Sequence, residues 1–143
     1  MAIPDFQTNG ELFVGIYDAV LAEIRQRFGY NLKRLKLLDG LTAAVNNLQA
    51  AGVQNVYIDG SFITSKAYPS DIDGCWDAHN QIDLNILDPV FLDFRSHRKA
   101  MKQKYGVDFF IAQIIEGSSG VPFVEFFQRN RDGEAKGILL IRL

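Results

Sequence analysis

A chain of 143 residues has the length of one domain and can bury a normal core, which at this size removes roughly 68–70% of the unfolded chain's surface from water. Its hydrophobic content of 48% excludes a disordered chain, and its net charge of −2 excludes an overall basic nucleic-acid footprint. Cys75 is the only cysteine, so no intrachain disulfide can form. The N-terminus lacks a basic and then apolar leader pattern, and no apolar run reaches the roughly 18 residues of a membrane span, so the expectation is a cytoplasmic protein without a membrane partner.

In chain order, residues 1–16 carry Pro4, Gly10 and Gly15 without a sustained period and read as an extended arm over the domain. After Asp18, Val20, Leu21, Ile24 and Phe28 define a short amphipathic helix stopped by Gly29. A longer helix is expected from about Leu32 to Ala51, with Leu37, Leu41, Ala44 and Leu48 as one stripe and Leu35, Leu38 and Val45 widening it. Val56, Tyr57 and Ile58 read as a strand running into Asp59-Gly60, where Gly60-Ser61 turns into a short helix, and Asp71 to Asp77 read as a second strand.

Asp88 as N-cap and Pro89 at N1 open a helix to Tyr105, with Phe91, Phe94, Met101 and Tyr105 inward. Its other face, Arg95, Arg98, Lys99 and Lys102, reads as a solvated basic face that steers an anionic acceptor if it lies beside the pocket. Gly106 ends it before a strand from Val107 to Ala112. Residues 116–120 form a loop, Phe123 to Gln128 read as a short helix or a strand, with the helix favoured, and Gly137 to Leu143 as a strand at the sheet edge. The fold class is α/β (α+β), a small mixed sheet with helices packed on one face.

Two features carry chemistry. Gly60 has no Cβ to keep a bulky anion away, and a Gly-Ser turn offers backbone N–H groups and a hydroxyl, which suits a triphosphate. After nine intervening residues, Asp71 and Asp73 fall on one face of a strand, about 6.6 Å apart along the chain. Their mutual repulsion is best relieved by divalent cations that bridge phosphoryl oxygens. Asp108, flanked by Val107 and Phe109, is placed to join them from a neighbouring strand. Lys66, five residues after Ser61, is a candidate phosphate ligand on the covering loop. Asp59, Asp77 and Asp83 sit at strand ends or loops and read as turn formers. Cys75 and Trp76 read as packing residues, and His79 and His97 lack metal-ligand spacing.

The order Gly60-Ser61, Asp71-Ile72-Asp73 and an isolated Asp108 resembles the signature of the nucleotidyltransferase superfamily related to DNA polymerase beta. The phrases Tyr57 to Thr64, Pro69 to Asp77, Leu87-Asp88-Pro89 and Lys136-Gly137-Ile138 resemble a bacterial family of small nucleotidyltransferase-like proteins. The resemblance implies Mg²⁺ (or Mn²⁺) held by Asp71 and Asp73, an NTP such as ATP bound at Gly60 and Ser61, and an acceptor hydroxyl oriented or deprotonated by Asp108. It leaves the acceptor open between a partner protein, as for antitoxin-like relatives that modify a toxin, a small molecule, and an RNA end. Two other classes compete: a nucleotide sensor that keeps the pocket without turnover, and a non-catalytic partner protein of toxin–antitoxin type.

Overall fold

The computed structural model describes residues 3–143, so Met1 and Ala2 of the expected arm lie outside the described residues. A five-stranded mixed sheet has the order β1-β5-β2-β3-β4, with β1 at Gly15–Asp18, β2 at Asn55–Asp59, β3 at Ile72–Trp76, β4 at Val107–Ile111 and β5 at Gly137–Arg142. The outer pairs β1/β5 and β3/β4 are parallel, and β5/β2 and β2/β3 are antiparallel.

Alternation along the strands gives the sheet two different faces. Val56, Ile58, Ile72, Trp76, Val107, Phe109, Leu139 and Ile141 turn to one face and build the main core with helices α1 (Leu21–Phe28), α2 (Leu32–Ala50) and α3 (Arg95–Tyr105). The stripe expected of the long helix is what it buries: Leu37, Leu38, Leu41, Ala44, Val45 and Leu48. Asn31 starts it, its side chain accepting from the Arg34 N–H at 2.9 Å. On the second face a smaller cluster of Cys75, Ala112 and Phe127 is joined by Tyr57, Phe110, Phe123 and Phe126, so the four-residue helix α4 (Phe123–Phe126) covers the side that the long helices leave open. Cys75 and Trp76 are buried, as expected of packing residues. No helix among the described residues is long and apolar enough to cross a membrane.

Three expectations change. The arm ends in a strand: Gly15–Asp18 pairs with β5, and Phe6 bridges Leu12. β5 is therefore interior rather than an edge, paired with β1 on one side and β2 on the other, and its residues Ile138 to Ile141 are buried on both faces of the sheet. The helix expected from Pro89 to Tyr105 is two elements, a 3₁₀ turn at Pro89–Leu92 and α3. A straight helix would carry Phe91 and Phe94 to the same side. Phe91 instead packs in the main core, while Phe94 passes round the β4 edge to stack on Phe110 of the second face, centroids 6.3 Å apart, and remains partly exposed. Ser96, His97 and Arg98 take left-handed backbone angles, φ 52°, 56° and 58°, to make that passage.

Candidate metal and nucleotide site

Strand register puts three carboxylates abreast. Asp59, the last residue of β2, faces Asp73 of β3, and Asp73 faces Asp108 of β4. All three alternate with core residues and so project on the second face, away from the long helices. Asp71, immediately before β3, has the same parity as Asp73. One carboxylate oxygen from each of Asp71, Asp73 and Asp108 lies within 4.8 Å of the others.

The outer members of this row have basic partners and the inner ones do not. Arg98 holds Asp108 with two hydrogen bonds, Nε to Oδ1 at 2.7 Å and Nη2 to Oδ2 at 3.0 Å, and its guanidinium lies 4.6 Å from the Phe110 ring centroid. Lys102 approaches the same carboxylate at 3.5 Å. On the other flank Lys136 Nζ lies 2.9 Å from Asp59 Oδ1, within ion-pair distance though not aligned as a hydrogen bond. Asp71 and Asp73 form no ion pair among the described residues. Burial, then the negative charges of Asp71, Asp108 and Asp59, push the Asp73 carboxyl up to about 7. Burial and the charge of Asp108 raise Asp71 as well, and burial raises Asp59 against the pull of Lys136.

Gly60 joins this row to the turn that follows. Its φ is +78°, and a Cβ there would fall 2.1 Å from Asp73 Oδ2. The missing side chain makes room for the Asp73 carboxylate first, whatever then approaches from outside. Ser61 opens the 3₁₀ turn Ser61–Ile63, and its carbonyl accepts from the Thr64 hydroxyl at 2.7 Å and the Thr64 N–H at 3.2 Å. The Lys66 side chain is exposed and makes no ion pair among the described residues, while its carbonyl accepts from Arg34 and Tyr30.

The structure thus brings Asp71, Asp73 and Asp108 together, sets Gly60 against Asp73, and leaves the Lys66 side chain in solvent. Sequence reasoning missed four groups. Asp59 was read as a turn former, yet it is buried in the carboxylate row. Arg98 and Lys102 were read as a solvated face, yet both turn to Asp108. Lys136 has no assigned role in the sequence reading. Its signal was a cation directly ahead of a run destined for the sheet interior.

The donor set fits a hard divalent cation such as Mg²⁺ or Mn²⁺: oxygen ligands alone, from rigid strand ends, with two carboxylates whose charge is otherwise unpaired. Asp108 keeps lone pairs for a cation even while Arg98 is bound, because each oxygen receives a single hydrogen bond from it.

A family model described as "Family of unknown function (DUF6932)" matches residues 4–142. No curated protein and no solved structure matches the chain.

Proposed function

We propose that the chain, which belongs to this family of unknown function, is a metal-dependent nucleotidyltransferase that moves a nucleoside monophosphate from an NTP, ATP for example, to an acceptor hydroxyl. The observation that carries the reading is the convergence of Asp71, Asp73 and Asp108 at one end of adjacent strands, next to the Gly60-Ser61 turn. A stable domain has no use for a half-buried carboxylate pair without counter-charge, and a cation supplies it.

Asp71 and Asp73 would hold Mg²⁺ or Mn²⁺. Such ions, when bound, supply Lewis-acid polarisation of the phosphoryl oxygens and a lowered proton affinity of the acceptor hydroxyl. Ser61 and the backbone beside Gly60 would receive the β- and γ-phosphates, with Lys66 of the following loop as a further phosphate ligand. Asp108 would orient the acceptor hydroxyl and take its proton as the oxygen attacks the α-phosphorus. The bond from the α-phosphorus to the β-bridging oxygen breaks, and pyrophosphate leaves. The compartment that fits this reading is the cytoplasm, where NTP and Mg²⁺ are abundant.

A second reading has one observation in its favour. Arg98 already satisfies both oxygens of Asp108, as would suit a protein that binds a nucleotide at Asp71 and Asp73 without turning it over, whether as a sensor or as a toxin–antitoxin-type partner. Calorimetry with Mg²⁺ and ATP, followed by pyrophosphate release in the presence of cell extract as a source of acceptor, separates the two. Binding with release supports the enzyme, binding without release supports the sensor, and absence of both removes the nucleotide reading.

A further inference from the structure

Arg34, in the first turn of α2, is fully buried and has no carboxylate partner among the described residues. Its guanidinium donates to four backbone carbonyls: Phe28 at 3.3 Å, Phe62 at 2.6 Å, Thr64 at 3.0 Å, and Lys66. It also lies 4.5 Å from the Tyr30 ring centroid and 4.8 Å from that of Phe62. Burial lowers its proton affinity, yet an arginine stays charged at any ordinary pH.

Three of those four carbonyls belong to the segment directly after Gly60-Ser61. That segment has only one short 3₁₀ turn of regular structure. Two neighbours of Arg34 extend the grip: Tyr30 Oη donates to the Lys66 carbonyl at 3.3 Å, and Asn31 Nδ2 to the Ala67 carbonyl at 2.8 Å. A buried charge without an opposite charge is expensive, and an apolar side chain would fill the volume at lower cost. What an apolar side chain cannot do is satisfy three carbonyls of an irregular loop at once, and one planar five-donor group can.

Resting on the nucleotide reading above, we propose that Arg34 is a positioning residue of that site: from behind the 61–67 loop it fixes the Ser61 hydroxyl and the adjacent backbone that meet the triphosphate. A loop that must present donors to a polyanion gains affinity when it is ordered in advance, because binding then carries no further ordering cost. The carboxylate row is held by strand pairing instead and does not depend on this clamp.

The test is a split between two affinities. Arg34→Lys keeps the charge and loses the fork. Tyr30→Phe with Asn31→Asp keeps the ring and the capping oxygen of α2 but removes both outer donors to the loop. Calorimetry with Mg²⁺ alone and with ATP in Mg²⁺, and amide hydrogen exchange across 61–67, are measured on each. The expected result is ATP affinity down about tenfold or more in Arg34→Lys and a few-fold in the double variant. Mg²⁺ affinity stays within about twofold of the parent, and exchange is faster in the loop. Parent-like ATP affinity in a folded variant with a loosened loop overturns the inference alone. Loss of Mg²⁺ and ATP affinity together makes Arg34 a plain structural residue and also overturns it. If Arg34→Lys does not fold, the double variant decides by the same criteria. A parent protein that binds Mg²⁺ but no ATP overturns the nucleotide reading, and this inference with it.

Discussion

Arg98 closes on both oxygens of Asp108, Nε on Oδ1 and Nη2 on Oδ2, from a backbone turn with φ of +58°. A non-glycine residue in that region carries strain, of order 1–3 kcal/mol, which the ion pair and the Phe110 contact help to offset. The pair supplies the positive charge on this flank of the carboxylate row, so an incoming cation meets a site that Arg98 has already partly neutralised.

Arg98→Met should therefore have two opposite effects. In chelator the variant should be less stable, by about 1–3 kcal/mol, because Asp108 is left buried with only Lys102 near it. Mg²⁺ affinity should rise several-fold, since removing a competing cation raises the negative potential at the site. Titration calorimetry at fixed ionic strength checks the second effect, and weaker Mg²⁺ binding would make Arg98 a support for the site rather than a competitor.

Asp73 gives the pH dependence. Its carboxyl is raised from an ordinary value of 3.8 to about 7 in the folded chain. The fold therefore favours the protonated form, and the resulting stability is fully present below pH 3.8 and lost as pH rises through about 7. In chelator, the parent should lose stability relative to Asp73→Asn between about pH 4 and 8, and Asp71→Asn and Asp73→Asn should both be at least as stable as the parent at pH 8. Mg²⁺ should bind more tightly as pH rises over the same interval, with proton release that Asp73→Asn abolishes. Thermal melts across that range test the claim, and variants less stable than the parent at pH 8 would assign the pair a structural role.

Gly60→Ala tests why the glycine is there. A Cβ would lie 2.1 Å from Asp73 Oδ2 and would sit on a backbone with φ +78°. If the glycine only admitted phosphate, the variant would lose ATP and keep Mg²⁺. Because the carboxylate must move, Mg²⁺ affinity should fall too, by about tenfold or more. Mg²⁺ binding equal to that of the parent in a folded Gly60→Ala protein would restore the phosphate-only explanation.

The sequence was informative where one local rule acted alone. The 3.6-residue stripe marked α2, and β-branched residues running into Asp59-Gly60 marked β2 and its turn. Asp71, Asp73 and Asp108 were readable as one group because strand alternation fixes side-chain direction once the strands are known. What remained hidden depended on pairing between distant strands. Asp59 looks like a turn residue until β2 is set against β3, and Lys136 acquires a role only when β5 is inserted between β1 and β2. Periodicity also failed from Pro89 to Tyr105, because Phe94 obeys the aromatic cluster on the second face rather than the helix that its spacing from Phe91 implies.

Whether the carboxylate row performs transfer is decided by Asp108→Asn. NTP labelled at the α-phosphate is supplied with Mg²⁺ and cell extract, and label transfer and Mg²⁺-ATP affinity are measured on the same preparations. The expected result is Mg²⁺-dependent transfer by the parent, none by Asp73→Asn, and for Asp108→Asn a rate lower by about 10²–10⁴ with ATP affinity within a few-fold. A parent that binds neither Mg²⁺ nor ATP, or an Asp108→Asn protein that transfers label at the parental rate, would contradict it.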